Sequence, residues 1–429
     1  MTSPPPVIVD RPAEPSLVAG LRPLCWVEVD ASALQHNAEI LGRESRRNGR
    51  APLLAAMVKG NAYGHDRVIA ARAFLRGGVD WLCVADVFEA AALRDAGIGA
   101  PLYNVVLTPP DHAAAAVGLD LAMVTASAES ALAAVAAARA QSKQARLHLK
   151  LETGTNRQGL RLPALLALAE RLLAEDPGCI AGITSHYADI EDTTEHRFAL
   201  SQRQRFDEGT AALRALVAAA GRDPATLIAH TSNSAALLLW PDHAADLVRF
   251  GIAAFGLWPS KETFLSAQQL GGHPIELRPA LSWKTRLLQV KDVPAGEFVG
   301  YGRTFRALRP TRLGLLPMGY ADGYDRRLSG RGQVLVGGAR APVVGRVAMN
   351  LVAIDVTDAP QAKVDDEVVL LGAQANEHGE VDAIRADELA AWMQTIHYEV
   401  TTRISERLPR IEVGDMPRWS GHATPRAGG

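Results

Sequence analysis

The chain has 429 residues, 48% of them hydrophobic and 21% charged, a balance that suits a globular protein long enough for two domains with separate cores. A formal net charge of -2 and a pI near 6.6, with no basic stripe, give no electrostatic reason to expect nucleic acid or an anionic membrane as partner, which leaves small molecules. No apolar run approaches the ~20 residues of a spanning helix, and the opening MTSPPPVIVDRPAEP lacks the basic and apolar regions of a signal peptide, so the expected location is the cytoplasm.

Residues 1–20 are proline-rich and aperiodic and read as a flexible arm. Trp26 to Val29 alternates like a strand, and Asp30 or Ser32 then offers an N-cap for a helix through Leu34, Ala38 and Leu41. Eight apolar, strand-like runs follow, at Leu53–Val58, Trp81–Ala85, Leu102–Val106, Leu119–Val124, Leu147–Leu151, Cys179–Thr184, Leu227–His230 and Leu247–Phe255. Helical stretches such as Val68–Phe74, Ala128–Ala140, Leu162–Leu173 and Phe198–Ala220 fill most of the gaps. Strand and helix alternating in this way predict an α/β fold, a (β/α)8 TIM-type barrel over 21–270 with its active site at the C-terminal ends of the strands. Beyond residue 271 short β-branched runs between Gly and Pro turns predict a mostly-β domain to 415, with a hairpin at Gly337-Gly338 and one clear helix over Glu388–His397, before a flexible tail over 416–429. Cys25, Cys83 and Cys179 are an odd number without CxxC spacing, so neither a disulfide framework nor a metal site is expected.

Polar groups interrupt the barrel strands where they would reach its mouth. Lys59 ends the first apolar strand, just before Gly60, Asn61 and Gly64, and a lysine partly stripped of water there holds a low-pKa amine able to condense with a carbonyl. Arg157 lies in a Gly-containing loop suited to an anion, His186 closes the sixth strand, and Asn233 and Ser234 follow the seventh as a phosphate site would need. Arg249 interrupts the apolar eighth strand, with Gly251 and Ile252 just after it. Each position has an ordinary structural role open to it: a snorkelling lysine, a solvated arginine, a hydrogen-bonded core histidine or a helix cap. Their common placement at strand ends favours a site.

The stretches AAMVKGNAYGHD, HLKLETGTNRQGL, SHYADIEDT, HTSNSAALL, VRFGIAAFGL, GEFVGYGRTF, PMGYADGYDRRLS, VVGRVAMN and TIHYEVTTRI, in this order from about Trp26 to Ile411, resemble the bacterial alanine racemases, which depend on pyridoxal 5'-phosphate. The resemblance implies a barrel followed by a β domain, and a cytoplasmic homodimer with composite active sites that interconverts L- and D-alanine for the cell wall. Lys59 would attach the cofactor and act as one of two catalytic bases, with Tyr301 as the other. Inverting an α-carbon requires a proton removed from one face and one returned to the other, and a phenol needs hydrogen-bonded or cationic neighbours to do this near neutrality. The resemblance also places Arg249 against the pyridine nitrogen, with His186 nearby. Tyr63, Asn233, Ser234, Tyr398 and the Gly251 and Ile252 amides would line the cofactor pocket. Arg157 and the Met349 amide would hold the substrate carboxylate, Tyr320 would narrow the entrance, and Lys150 matches a lysine that the family can carbamylate. No metal is implied. The chain departs from the family in having Ala348-Met349-Asn350 where Cys-Met-Asp is frequent and Phe250 where Pro is frequent, so a broader or different amino-acid specificity is an alternative. A decarboxylase of the same two-domain plan would set a carboxylate, not Arg249, against the pyridine nitrogen. A non-catalytic PLP-binding protein would resemble the barrel alone.

Overall fold

The computed structural model describes residues 20–47, 49–270 and 275–414; the expected tail, and all of the expected arm except Gly20, lie outside them. The first strand, β1 (Cys25–Asp30), leads into a helix over Ala31–Ser45 that Asp30 caps by accepting from the Ala33 amide. Eight parallel strands follow: β2 (Leu53–Met57), β3 (Trp81–Val84), β4 (Leu102–Asn104), β5 (Leu121–Thr125), β6 (Leu147–Lys150), β7 (Ile180–Thr184), β8 (Ile228–His230) and β9 (Leu247–Phe250). Each pairs with its neighbour, and β9 returns to β2. Amides of Asp246 and Arg249, donating to the carbonyls of Ala229 and Ser232, bridge the remaining gap between β8 and β9. Parallel strands covered by helices are buried on both faces, which is why strands such as β2 and β3 read as continuous apolar runs. Leu54 and Ala56 pack in the main core, whereas Ala55 shares the barrel interior with Cys83, Tyr103, Ala122, Val124 and Leu247.

The eight expected barrel strands are all present. The last is shorter than expected, because Gly251 leaves the extended region and Ile252–Phe255 forms a single 3-10 turn that carries two backbone amides to the barrel mouth. The three cysteines are free and buried.

The remaining strands are β10 (Leu281–Arg286), β11 (Gln289–Val293), the short pair β12 (Phe298–Val299) and β13 (Phe305–Arg306), β14 (Thr311–Leu316), β15 (Gln333–Val336), β16 (Ala339–Val344), β17 (Val352–Asp355), β18 (Glu367–Ala375), β19 (Val381–Ile384) and β20 (Arg410–Val413), and all but β12 and β13 join a second sheet. Its order is β11-β14-β17-β16-β15-β18-β10-β1-β20, with β12 and β13 forming a separate ribbon. Between β15 and β16, Gly337 and Gly338 take φ 57° and 78°, the left-handed pair that a two-residue hairpin of matching twist requires.

Two features differ from the sequence reading. Strand β1, which precedes the barrel strands and was read with the 21–270 segment, belongs to the second sheet, antiparallel to β10 and parallel to β20. Alternation marks a strand but does not name its partner. The helix expected over Glu388–His397 is two: Ala386–Met393 stops where Gln394 turns left-handed at φ 55°, and His397–Thr402 starts afresh, which aims Tyr398 back toward the barrel.

Candidate active site

Loops at the C-terminal ends of the barrel strands enclose a cavity of about 760 Å³, lined by Lys59, Tyr63, Tyr103, Lys150, Arg157, His186, Glu191, Asn233, Ser234, Arg249, Gly251, Ile252 and Tyr398 among others. This is a normal size for a small-molecule site.

Lys59 reaches it through unusual backbone. Where the sequence suggests a simple break after β2, the chain makes one turn of left-handed helix, with Gly60, Asn61 and Ala62 at φ 59°, 49° and 53° and Tyr63 at 54°. For residues with a Cβ this costs roughly 1–2 kcal/mol each, so the surroundings must hold it. Ala62 donates to the Val58 carbonyl at 2.8 Å, the Asn61 side chain accepts the Arg67 amide at 3.0 Å, and Glu89 accepts the Gly60 amide at 2.7 Å. Burial holds His65 neutral, its pKa pushed down to about 4, so Nδ1 carries the proton and donates to the Ala62 and Tyr63 carbonyls. Gly64, at φ 86°, lies so near the second domain that a Cβ would stand 2.1 Å from the Thr401 carbonyl oxygen. The turn is thereby pressed against the helix that carries Tyr398.

Electrostatics in the cavity favour neutral amines. Burial, then the Arg157 charge, lowers the Lys59 pKa below the ordinary lysine value. Burial drives Lys150 further down, helped by Arg249 and Arg157. His186 is likewise pushed well below the usual imidazole range, first by burial and then by Lys150 and Arg249, so it offers a neutral ring.

Arg249 is buried inside the barrel and contacts neutral groups. It donates to Thr184 Oγ1 at 2.8 Å, to the Ser185 carbonyl at 2.8 Å and to His230 Nδ1. The last contact fixes a tautomer: His230 accepts at Nδ1, so its proton sits on Nε2 and is donated to His148 Nδ1, 2.8 Å away. At the outer end, Ser234 Oγ accepts the Gly251 amide at 2.9 Å and Asn233 caps the helix Ser234–Leu239 through the Ala236 amide. Gly251 is needed for space, since a Cβ there would meet Tyr63 Oη at 2.6 Å. Tyr398 Oη donates to the Glu191 carboxylate at 3.1 Å.

Thus Lys59, Tyr63, Lys150, Arg157, His186, Asn233, Ser234, Arg249, Gly251, Ile252 and Tyr398 share one cavity within one chain. Tyr301, Tyr320 and Met349 are not among its lining residues. They stand on the surface of the second domain, 72%, 41% and 55% exposed. Their loops are tied together: amides of Tyr320 and Ala321 donate to the carbonyls of Ala348 and Met349, and a Cβ at Gly302, next to Tyr301, would lie 3.1 Å from the Arg346 guanidinium. The sequence reading assigned no role to Tyr103, Glu191, His148 or His230. His148 had a signal, since alternation along β6 turns it to the same face as Lys150.

Comparison with known proteins gives one family. Residues 29–259 match the family model for the alanine racemase N-terminal domain, and residues 280–412 match that for its C-terminal domain. A curated alanine racemase from Symbiobacterium thermophilum is 40% identical over 396 residues, covering 92% of this chain and 98% of that protein. Among solved structures, the alanine racemase of a D-cycloserine-producing Streptomyces lavendulae superposes with a TM-score of 0.80 at 34% identity, over 92% of this chain and 98% of that one. The Bacillus anthracis alanine racemase, solved with bound L-Ala-P, gives 0.81 at 32% identity, over 93% and 97%.

Proposed function

The chain belongs to the alanine racemase family, and from that premise we propose how its own residues interconvert L-alanine and D-alanine with pyridoxal 5'-phosphate as cofactor. The observation that carries the reading is the convergence of Lys59, Arg249 and the Tyr63–Ser234–Gly251 group on one cavity. The residues fit the cofactor. The space that a Cβ at Gly251 would fill, beside the Tyr63 and Ser234 hydroxyls, suits a phosphate, and Arg249, which lines the same cavity, would be the donor for the ring nitrogen. The bound cofactor would supply the electron sink for the pair left on the α-carbon when its proton departs.

Lys59 would hold the cofactor, and its amine would serve as a base on one face of the α-carbon, since its lowered pKa keeps a fraction of the amine unprotonated at lower pH than an ordinary lysine. Arg157 orients the substrate carboxylate. Arg249 donates without releasing its proton, while neutral His230 accepts from it and keeps the guanidinium aimed. Burial and the Arg249 and Arg157 charges lower the Lys150 pKa well below the ordinary lysine value, which favours the unprotonated form of amine that carbamylation would need. The base for the other face is Tyr301, and its exposure, together with that of Tyr320 and Met349, is what a homodimer with composite sites requires: each second domain covers the barrel mouth of the other subunit. Exposed Phe88 and Val106, near that mouth, would be buried by the same contact.

Mixing inactive Lys59→Ala and Tyr301→Phe proteins under conditions that exchange subunits is expected to restore activity, up to about one quarter of the wild-type level per site, because half the dimers are mixed and each carries one intact site. Mixed dimers with no recovered activity would place both bases in one chain. Among the described residues no helix is long and apolar enough to cross a membrane.

A further inference from the structure

Glu89 sits in the first turn of the helix Val87–Asp95, at the third helical position after the cap Asp86. A glutamate there ordinarily reaches back to the amide of the cap residue itself. This one does not. Its two carboxylate oxygens accept from two different barrel loops: Oε1 from the Gly60 amide at 2.7 Å, and Oε2 from the Ala85 amide at 2.8 Å. The Arg67 guanidinium lies 3.5 Å from Oε1, and Glu89 is 8% exposed. The Gly60 amide belongs to the peptide that follows Lys59, and it is also the first free N–H of the left-handed turn. A strained turn persists only where its surroundings over-determine it, and this bond acts at the point where the strain begins.

We propose that Glu89 is a positioning residue for the reaction, clamping the peptide after Lys59 to the end of β3 and so fixing the direction in which the lysine amine enters the cavity. The inference rests on the reading of Lys59 as cofactor lysine and base. Glu89 also acts on Lys59 through charge, raising the pKa that burial and Arg157 lower. The two effects separate in two variants. Glu89→Gln keeps the length but offers one acceptor oxygen for two amides and no charge. Glu89→Asp keeps the charge but lacks the reach to both amides.

The test uses the holoenzyme in deuterated water, comparing α-hydrogen exchange of D-alanine and of L-alanine and following the rate against pH. In Glu89→Gln, exchange on the Lys59 face is expected to fall about 10- to 100-fold more than exchange on the opposite face, the size of losing a charge-assisted bond. The rising limb of the pH profile should move to lower pH, because loss of the carboxylate lowers the Lys59 pKa further. Glu89→Asp should show the same facial imbalance with the limb unmoved. Hydrogen exchange at the Gly60 and Ala85 amides should quicken in both. An overall loss of activity with the wild-type ratio of the two exchanges and an unmoved limb in Glu89→Gln would reduce Glu89 to a packing role and overturn the inference. Should Glu89→Gln fail to fold, a wild-type ratio in Glu89→Asp would overturn it equally. Absence of Lys59-dependent exchange in the unsubstituted enzyme would instead overturn the reading of Lys59 itself, and this inference with it.

Discussion

Replacing Lys59 with alanine is expected to abolish racemisation, by roughly 10⁴-fold or more, and to leave no cofactor that borohydride can fix to the protein. The factor reflects two losses at one residue. A positioned base contributes about 10²–10⁴-fold, and covalent capture of the cofactor disappears with the amine. Stability should change little. Lys59 is only partly buried and no side-chain bond of the left-handed turn uses its amine: the turn is held by Asn61, His65 and Glu89, none of which the substitution touches. Loss of activity with an unchanged melting temperature therefore reads as chemistry. Retained, reducible attachment of the cofactor in the variant would mean that another amine does the work, and Lys150, the second lysine lining the cavity, would be the place to look.

Tyr301→Phe is expected to slow racemisation by about 10²–10⁴-fold, the contribution of a positioned acid–base group, and to do so unevenly. An α-carbon that has lost its proton and whose electron pair is delocalised is planar, so one fixed base returning its own proton would regenerate the enantiomer it started from. With Tyr301 serving the L face and Lys59 the D face, the variant should still exchange the α-hydrogen of D-alanine with retention while exchange of L-alanine collapses. Equal loss of both would make Tyr301 a positioning group, and faster exchange of L-alanine would reverse the two faces. The substitution should be structurally mild, since the ring is 72% exposed in the isolated chain.

The barrel was legible because many of its strands are buried on both faces and cannot hide their apolar runs; Leu53–Met57, Trp81–Val84 and Leu121–Thr125 stand out from the polar helix ends around them. What a strand pairs with was not legible, and β1 went to the second sheet because its partners, β10 and β20, lie some 250 and 380 residues further along the chain. The left-handed turn escaped for a related reason. Gly60 and Asn61 tolerate positive φ, but Ala62 and Tyr63 argue against a run of it; the conformation is held by Glu89, His65 and the close approach of the Thr401 carbonyl, all outside the turn. Lys59, Arg157, His186 and Arg249 could be singled out from strand ends alone, but Tyr301, Tyr320 and Met349 came only from resemblance to a family. Their loops carry no chemistry by themselves, and the single chain leaves them away from the cavity. Glu89 had the appearance of an ordinary first-turn glutamate.

Inversion of the α-carbon of alanine by a cofactor held at Lys59 requires nothing beyond the unsubstituted enzyme and pyridoxal 5'-phosphate. Purified protein supplied with pyridoxal 5'-phosphate should bring either pure enantiomer of alanine to zero optical rotation, and borohydride reduction followed by peptide mass mapping should find the label on the AAMVKGNAYGHD segment at Lys59. Persistent optical rotation despite cofactor fixed at Lys59, or racemisation with the label on a different lysine, would contradict the account.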